Sequence, residues 1–159
     1  MIRLFCSVLF LLLSGTAFFS YTHAGPACEI TLKASASEAS SSWNSLYETM
    51  HLDSIVSREA FHRALTGYQK IKNRKKEVLT IIDFSKASTK KRLAVIDMEQ
   101  KKVLYTSVVA HGRNSGGNYA TSFSNKNGSY KSSLGFYLTN ETYQGSNGYS
   151  LRLDGLEKG

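Results

Sequence analysis

The apolar pattern of this 159-residue chain changes at Glu77, and that change constrains the fold more than any other feature of the sequence. Before Glu77, apolar residues recur three or four positions apart, which is the spacing of an amphipathic helix. After it, short β-branched runs alternate with polar, glycine-rich connections, which is typical of strands and turns. The sequence therefore predicts a mostly β domain, largely antiparallel, with helices on its N-terminal side.

Two helices are predicted before Glu77, one from about Ser42 to His51 and a longer one from about Arg58 to Asn73. Ser57 precedes the longer helix and is a preferred N-cap residue, because its hydroxyl can accept a first-turn backbone N–H. Each helix carries one apolar stripe, which is typical of packing against a core. The stripe residues are Trp43, Leu46, Tyr47 and Met50 on the first helix, and Phe61, Ala64, Leu65, Tyr68 and Ile71 or Lys72 on the second.

Five strands are predicted after Glu77. The second and third form a hairpin that ends next to His111, and the last two form another hairpin across a glycine-rich turn. The predicted strands are Val78–Phe84, Arg92–Asp97, Lys102–Ala110, Phe136–Thr142 and Tyr149–Leu153.

The N-terminus has the three-part layout of a secretory signal peptide, with a basic residue, Arg3, an apolar run from Leu4 to Leu13, and small residues ending at Ala24. We predict residues 1–24 to be a signal peptide and the exported protein to reside in the periplasm or cell envelope. The alternative is an uncleaved anchor, but the apolar run is shorter than the about 20 residues that span a bilayer. Residues 25–52 are predicted to be a flexible lead-in that carries the first short helix.

The net charge, the cysteines and the histidines limit which partners, disulfides and cofactors the protein can have. The net charge is +8, and removal of residues 1–24 takes away only Arg3, which leaves +7. Outside the cytoplasm such a basic protein meets anionic envelope polymers and peptide carboxylates. Because nucleic acid is not expected there, we predict no nucleic acid partner, and we predict no stable membrane insertion after cleavage. Loss of Cys6 with the signal leaves Cys28 alone, which excludes an intramolecular disulfide. The four histidines lack metal-ligand spacing and no phosphate-binding glycine motif is present, so neither a metal nor a cofactor is predicted.

The stretch from Ser107 to Tyr137 concentrates the residues suited to a binding site. Its glycines permit positive φ and leave backbone N–H groups uncovered, which suits an anion. Arg113 can hold a carboxylate through its planar fork. His111 has the character of a general base, but without a nucleophile nearby a loop-anchoring or substrate-facing role is favoured. The serines that follow lack the Gly-x-Ser-x-Gly elbow of serine hydrolases.

Three blocks, AHGRNSG, YATSFSNKNGSYKSSLGFY and GYSLRLDGLEKG, occur in order between Ala110 and Gly159. Together they resemble the front half of the exported murein L,D-transpeptidase catalytic-domain family, a YkuD-like group, and the resemblance covers about Leu52 to Gly159. It implies a β-rich fold and a cysteine that transfers acyl groups between peptidoglycan stem peptides. The family's cysteine, in a Ser-x-Gly-Cys-type motif, and a preceding His-Gly segment lie downstream of the LDGLEKG-like block. We therefore predict residues 53–159 to be the N-terminal part of such a domain, C-terminally truncated and without catalytic residues.

The resemblance implies that this chain supplies the wall of a stem-peptide site. The predicted substrate-binding residues are His111, Arg113, Asn114, Ser115, Tyr119, Ser122 and Tyr130. We expect the chain to be inactive in acyl transfer, and the alternative is a non-catalytic peptidoglycan- or envelope-binding module. Because the last strands would lack later neighbours, residues 25–159 alone are expected to aggregate or to bind a hydrophobic dye, through side chains such as Leu138, Leu151 and Leu153.

Overall fold

The computed structural model describes residues 40–72, 74–146 and 148–157. The predicted signal peptide, residues 1–24, lies outside these ranges, and so does the predicted lead-in up to residue 39. Among the described residues, no helix combines the length and the apolar character needed to cross a membrane.

Two helices precede the strands, as predicted. The first, α1, covers residues 40–49 and ends earlier than predicted, because His51 has a left-handed φ of 52°. The second, α2, spans Arg58–Lys70 and stops before the predicted Asn73, because the backbone is already extended at Ile71. The Ser57 hydroxyl oxygen accepts the backbone N–H of Ala60 at 3.3 Å, which confirms the predicted N-cap.

A three-stranded antiparallel sheet follows, in the order β1–β2–β3. Its strands are β1 (Val78–Ile82), β2 (Leu93–Asp97) and β3 (Lys102–Ser107). The β2–β3 hairpin is confirmed, but the prediction that the third strand continues to Ala110 is wrong. The Arg92 backbone N–H donates to the Ser107 carbonyl at 3.0 Å. Beyond that point the Val109 carbonyl accepts from the Arg92 side chain instead of from a strand, so the chain leaves the sheet.

The hydrophobic core lies between the helices and one face of this sheet. The sheet contributes alternate residues, because successive side chains of a strand point to opposite faces. On α2, Phe61 and Leu65 are buried, which confirms the predicted stripe at these positions. Tyr68 instead lies beside Arg74, whose Cζ is 3.9 Å from the Tyr68 ring centroid. The buried cluster is Tyr47, Met50, Leu52, Val56, Phe61, Leu65, Ile81, Ala94 and Ile96.

The last two strands form a separate antiparallel hairpin, β4 (Tyr137–Gly145) and β5 (Gly148–Gly155). This confirms the second predicted hairpin, although both strands end later than predicted. The register places Leu153 opposite Thr139 and Leu151 opposite Thr142. Leu151 and Leu153 are two residues apart in β5, so their side chains lie on the same face. Leu151 (46% exposed) and Leu153 (55%) are open to solvent. The expected aggregation through this face stays a prediction.

The architecture is therefore mixed, with two helices followed by antiparallel strands in two sheets. The helices supply much of the core, so the description "mostly β" holds only for the part that follows Glu77. Residues 108–136 connect the two sheets without forming a strand. This connection carries the predicted binding residues.

Phe136 attaches the start of the β4–β5 hairpin to α2. A Cβ added to Gly67 would lie 2.0 Å from Phe136 Cε1 and 2.3 Å from Phe136 Cζ. The ring therefore packs directly on the backbone of α2 at Gly67, which is buried. It fills the space that the side chain of any other residue at position 67 would need.

We expect the effect of Gly67→Ala to change sign with the residue at position 136. With Phe136 present, the added methyl pushes the ring away and lowers stability by about 1–3 kcal/mol. In a Phe136→Ala background, alanine replaces glycine in a helix interior without a clash and raises stability by up to about 1 kcal/mol. Chemical denaturation of the four proteins measures this double-mutant cycle. A gain of stability from Gly67→Ala in the unaltered protein would contradict the packing of the ring.

Candidate functional site

Two loops beyond β3 come together and form what we call the loop cluster, residues 111–117 and 121–132. The backbone N–H of Asn114 donates to the Tyr130 carbonyl at 3.0 Å, and the Asn114 side-chain amide donates to the Ser129 carbonyl at 2.9 Å. The backbone N–H of Gly112 donates to Ser132 Oγ at 3.0 Å. The two turns that were predicted separately therefore form one surface.

Ser115 lies beneath this surface and is wholly buried. Its Oγ accepts the backbone N–H of Ser132 at 2.7 Å. Its carbonyl accepts the backbone N–H groups of Thr121 and Ser122 at 2.8 and 3.0 Å. Ser115 thus joins the first loop to both ends of the second from below, and its hydroxyl oxygen accepts a hydrogen bond within the protein.

Arg113 and Tyr130 are exposed and stack on each other at the surface of the loop cluster. The Arg113 Cζ is 3.8 Å from the centroid of the Tyr130 ring, and Tyr130 is 59% exposed. This stacking uses the face of the guanidinium and leaves the N–H donors at its edge available, so the plane of the fork is fixed before any ligand arrives. Tyr119, also exposed, lies in the short segment between the two parts of the cluster. The arrangement is suited to a planar anion such as a carboxylate.

Lys131 brings a second cation to the loop cluster. Its Nζ donates to Ser122 Oγ at 2.7 Å, in a half-buried position. An ammonium group has donors only, so the Ser122 oxygen accepts and its own hydroxyl hydrogen remains available to another acceptor. Ser122 was predicted from the sequence, whereas Lys131 was not.

His111 lies where the chain leaves β3 and enters the loop cluster. Its Nδ1 is 2.9 Å from Arg92 Nη2, and its Nε2 is 3.2 Å from the Gly116 carbonyl oxygen. The sequence pointed to His111 but not to its contact with Arg92, which was predicted only as the start of a strand. The one available signal was a charged residue directly before the apolar run LAVI.

Two charged side chains, Arg92 and Asp83, are buried on the sheet side of the loop cluster, and Arg92 contacts the cluster through His111. Burial lowers the pKa of the Arg92 guanidinium, and the negative charge of Asp83 acts in the opposite direction. Burial also acts to raise the pKa of Asp83, but hydrogen bonds from Ser85 and Ser57 outweigh it, so the pKa of this carboxyl is lowered. Arginine keeps its proton in proteins, and the lowered pKa of Asp83 favours the ionised carboxylate.

The loop cluster is an open surface rather than a deep cavity. A groove of about 430 Å³ lies elsewhere among the described residues, between the helices and the β2–β3 turn, and is lined by residues that include Trp43, Leu65 and Met98. We place the candidate site at the loop cluster because Arg113, Lys131 and His111 bring cations and hydrogen-bond donors together there. The groove instead combines apolar side chains with small polar ones and a single lysine, Lys101. Among the described residues, no group of three or more histidine, cysteine or acidic side chains could hold a metal ion.

Comparison with known proteins agrees with the sequence blocks. A family model described as the L,D-transpeptidase catalytic domain matches residues 52–159. The match includes α2, all five described strands and the loop cluster, and it confirms the resemblance drawn from the sequence. No curated protein and no solved structure matched the chain.

Proposed function

Because the chain belongs to the L,D-transpeptidase catalytic-domain family, we propose that its loop cluster holds a peptidoglycan stem peptide at the cell envelope. The family acts on peptidoglycan, which lies in that compartment. The observation that carries the proposal is the exposed Arg113 stacked on Tyr130 within the matched segment. A stem peptide offers free carboxylates, and a guanidinium binds a carboxylate through two parallel N–H···O bonds.

The predicted residues take different parts in this proposal. Arg113 and Tyr130 meet the carboxylate, and Tyr119 is a further exposed aromatic in the segment between the two loops. Asn114 holds the two loops together through its backbone and its amide, and Ser115 supports them from beneath. Ser122, held by Lys131, and His111 offer further hydrogen-bond donors to the peptide.

The matched segment itself contains no cysteine, because Cys6 and Cys28 both precede residue 52. Acyl transfer by a cysteine thiolate therefore cannot come from residues 52–159 alone, and we propose peptide binding as the contribution of this segment. An acylating β-lactam distinguishes the two activities, since only a reactive thiolate or hydroxyl forms the adduct. A covalent adduct on a residue within 52–159 would overturn the proposal of a purely binding role.

We expect Arg113→Ala to weaken binding of a tetrapeptide stem about tenfold or more. A hydrogen bond to a charged group contributes about 1.5–3 kcal/mol, and about 1.4 kcal/mol corresponds to a factor of ten. The melting temperature should barely change, because Arg113 is exposed. Calorimetric titration of the purified chain with the peptide measures the affinity.

Two controls make the Arg113 experiment specific. Arg63→Ala removes another exposed arginine, on α2, and should leave the affinity unchanged. A peptide whose terminal carboxyl is amidated should bind the unaltered protein and Arg113→Ala equally weakly. Unchanged affinity in Arg113→Ala, or an equal loss of affinity in Arg63→Ala, would contradict a carboxylate site at Arg113.

We also propose that residues 1–24 export the protein. N-terminal sequencing of protein recovered from the envelope fraction is expected to give Gly25 as the first residue. A protein that begins at Met1 and stays with the membrane would show an uncleaved anchor instead.

A further inference from the structure

We propose that Arg92 is a positioning residue that holds His111 in a single tautomer, in which Nε2 carries the hydrogen and acts as a hydrogen-bond donor within the loop cluster. Nothing in the family match assigns a role to either residue. The inference follows from the two contacts of the ring and from the burial of the arginine, one step at a time.

The first contact fixes the state of Nδ1. Arg92 Nη2 lies 2.9 Å from His111 Nδ1. A guanidinium has five N–H donors and no acceptor. Two N–H groups cannot face each other at this distance, so Nδ1 carries a lone pair and accepts the hydrogen bond.

The second contact independently fixes the state of Nε2. His111 Nε2 lies 3.2 Å from the carbonyl oxygen of Gly116. A carbonyl oxygen only accepts, so Nε2 must carry the hydrogen. Both contacts therefore require the same neutral form, with the proton on Nε2 and not on Nδ1.

The orientation of the guanidinium is fixed by the backbone around it. Its Nε and Nη2 donate to the Val109 carbonyl at 3.0 and 2.6 Å, and its Nη1 donates to the Lys86 carbonyl at 2.9 Å. The Phe84 ring lies beneath it, with the Arg92 Cζ 5.0 Å from the ring centroid. Because the side chain is fully buried and the fork is planar, these carbonyls aim the second N–H of Nη2 at His111.

The tautomer decides which ligand atoms can hydrogen-bond to His111 Nε2. In this tautomer Nε2 donates a hydrogen bond and has no lone pair with which to take a proton, so this atom does not act as a general base. The Gly116 carbonyl can be replaced at Nε2 by another acceptor oxygen. If the loop cluster binds a stem peptide, as proposed above, that acceptor is a carbonyl or carboxylate oxygen of the peptide.

Nitrogen-15 NMR of histidine-labelled protein tests the tautomer without any ligand, so its result does not depend on whether a stem peptide binds. Spectra are recorded at about pH 8.5, well above the ordinary histidine pKa of about 6.5, and His111→Asn identifies the signal of interest. We expect the unaltered protein to show only the Nε2–H form at His111. In Arg92→Lys, which keeps the charge but not the fork, we expect the Nδ1–H form to become detectable.

Arg63→Lys is the matched control, because Arg63 is an exposed arginine on α2, and it should keep the pure Nε2–H form. The Nδ1–H form in the unaltered protein would overturn the inference, whether or not Arg92→Lys folds. A tautomer ratio in folded Arg92→Lys identical to that of the unaltered protein would overturn the role of Arg92.

Discussion

Replacing Arg92 by methionine is expected to lower the free energy of unfolding by about 3 kcal/mol or more, because each hydrogen bond to a charged group contributes about 1.5–3 kcal/mol. Methionine fills a similar volume but donates no hydrogen bond. The carbonyls of Val109 and Lys86 and the His111 Nδ1 would lose their donor, and Asp83 would lose a neighbouring positive charge. Since a domain is stable by only about 5–15 kcal/mol, this one change removes a large share.

Urea denaturation followed by circular dichroism measures the Arg92→Met effect. Arg63→Met is the matched control and should change the free energy of unfolding by no more than about 0.5 kcal/mol, as expected for an exposed position. A loss below about 1 kcal/mol in Arg92→Met would mean that its hydrogen bonds are replaced by water, and that Arg92 does not hold the end of β3 to the loop cluster.

Replacing Gly112 by alanine is expected to separate the two loops of the loop cluster. A Cβ at this position would lie 2.5 Å from the Tyr130 carbonyl oxygen and 2.8 Å from Ser132 N. Both are backbone atoms, so no change of side-chain rotamer relieves the contact. We expect a loss of stability of about 1–3 kcal/mol, the usual cost of overpacking. Stem-peptide binding should also be lost, because Arg113 belongs to one loop and Tyr130 to the other, and separation of the loops breaks their stacking.

Gly117→Ala provides the control for Gly112→Ala within the same loop. A Cβ at Gly117 meets nothing within 4 Å, so stability should change by less than about 0.5 kcal/mol. Denaturation curves and hydrogen exchange of the Asn114 amide, which donates to the Tyr130 carbonyl, report on both variants. Unchanged protection of this amide in Gly112→Ala would show that the two loops stay together despite the added methyl group, and would contradict the prediction.

Local sequence patterns predicted the elements of this fold well. The apolar stripe and Ser57 predicted α2, and both hairpins followed from β-branched runs around turn residues. Element ends were less accurate for a physical reason. The third strand was predicted to reach Ala110 because Val108, Val109 and Ala110 suit a strand, yet the chain leaves the sheet at Ser107. The side chain of Arg92, distant in sequence, takes the Val109 carbonyl that a strand would use.

The sequence by itself determined the family, the order of helices and strands, and the loop residues suited to an anion, because these depend on residue type and local spacing. Only the tertiary structure decided which of those residues act together. It buried Ser115 beneath the surface, stacked Arg113 on Tyr130, and set Arg92 against His111. Each of these contacts joins residues between 17 and 19 positions apart, a separation at which periodicity carries no information. The shape of the loops depends on hydrogen bonds to specific backbone atoms, and those partners exist only once the sheet and the loops have packed together.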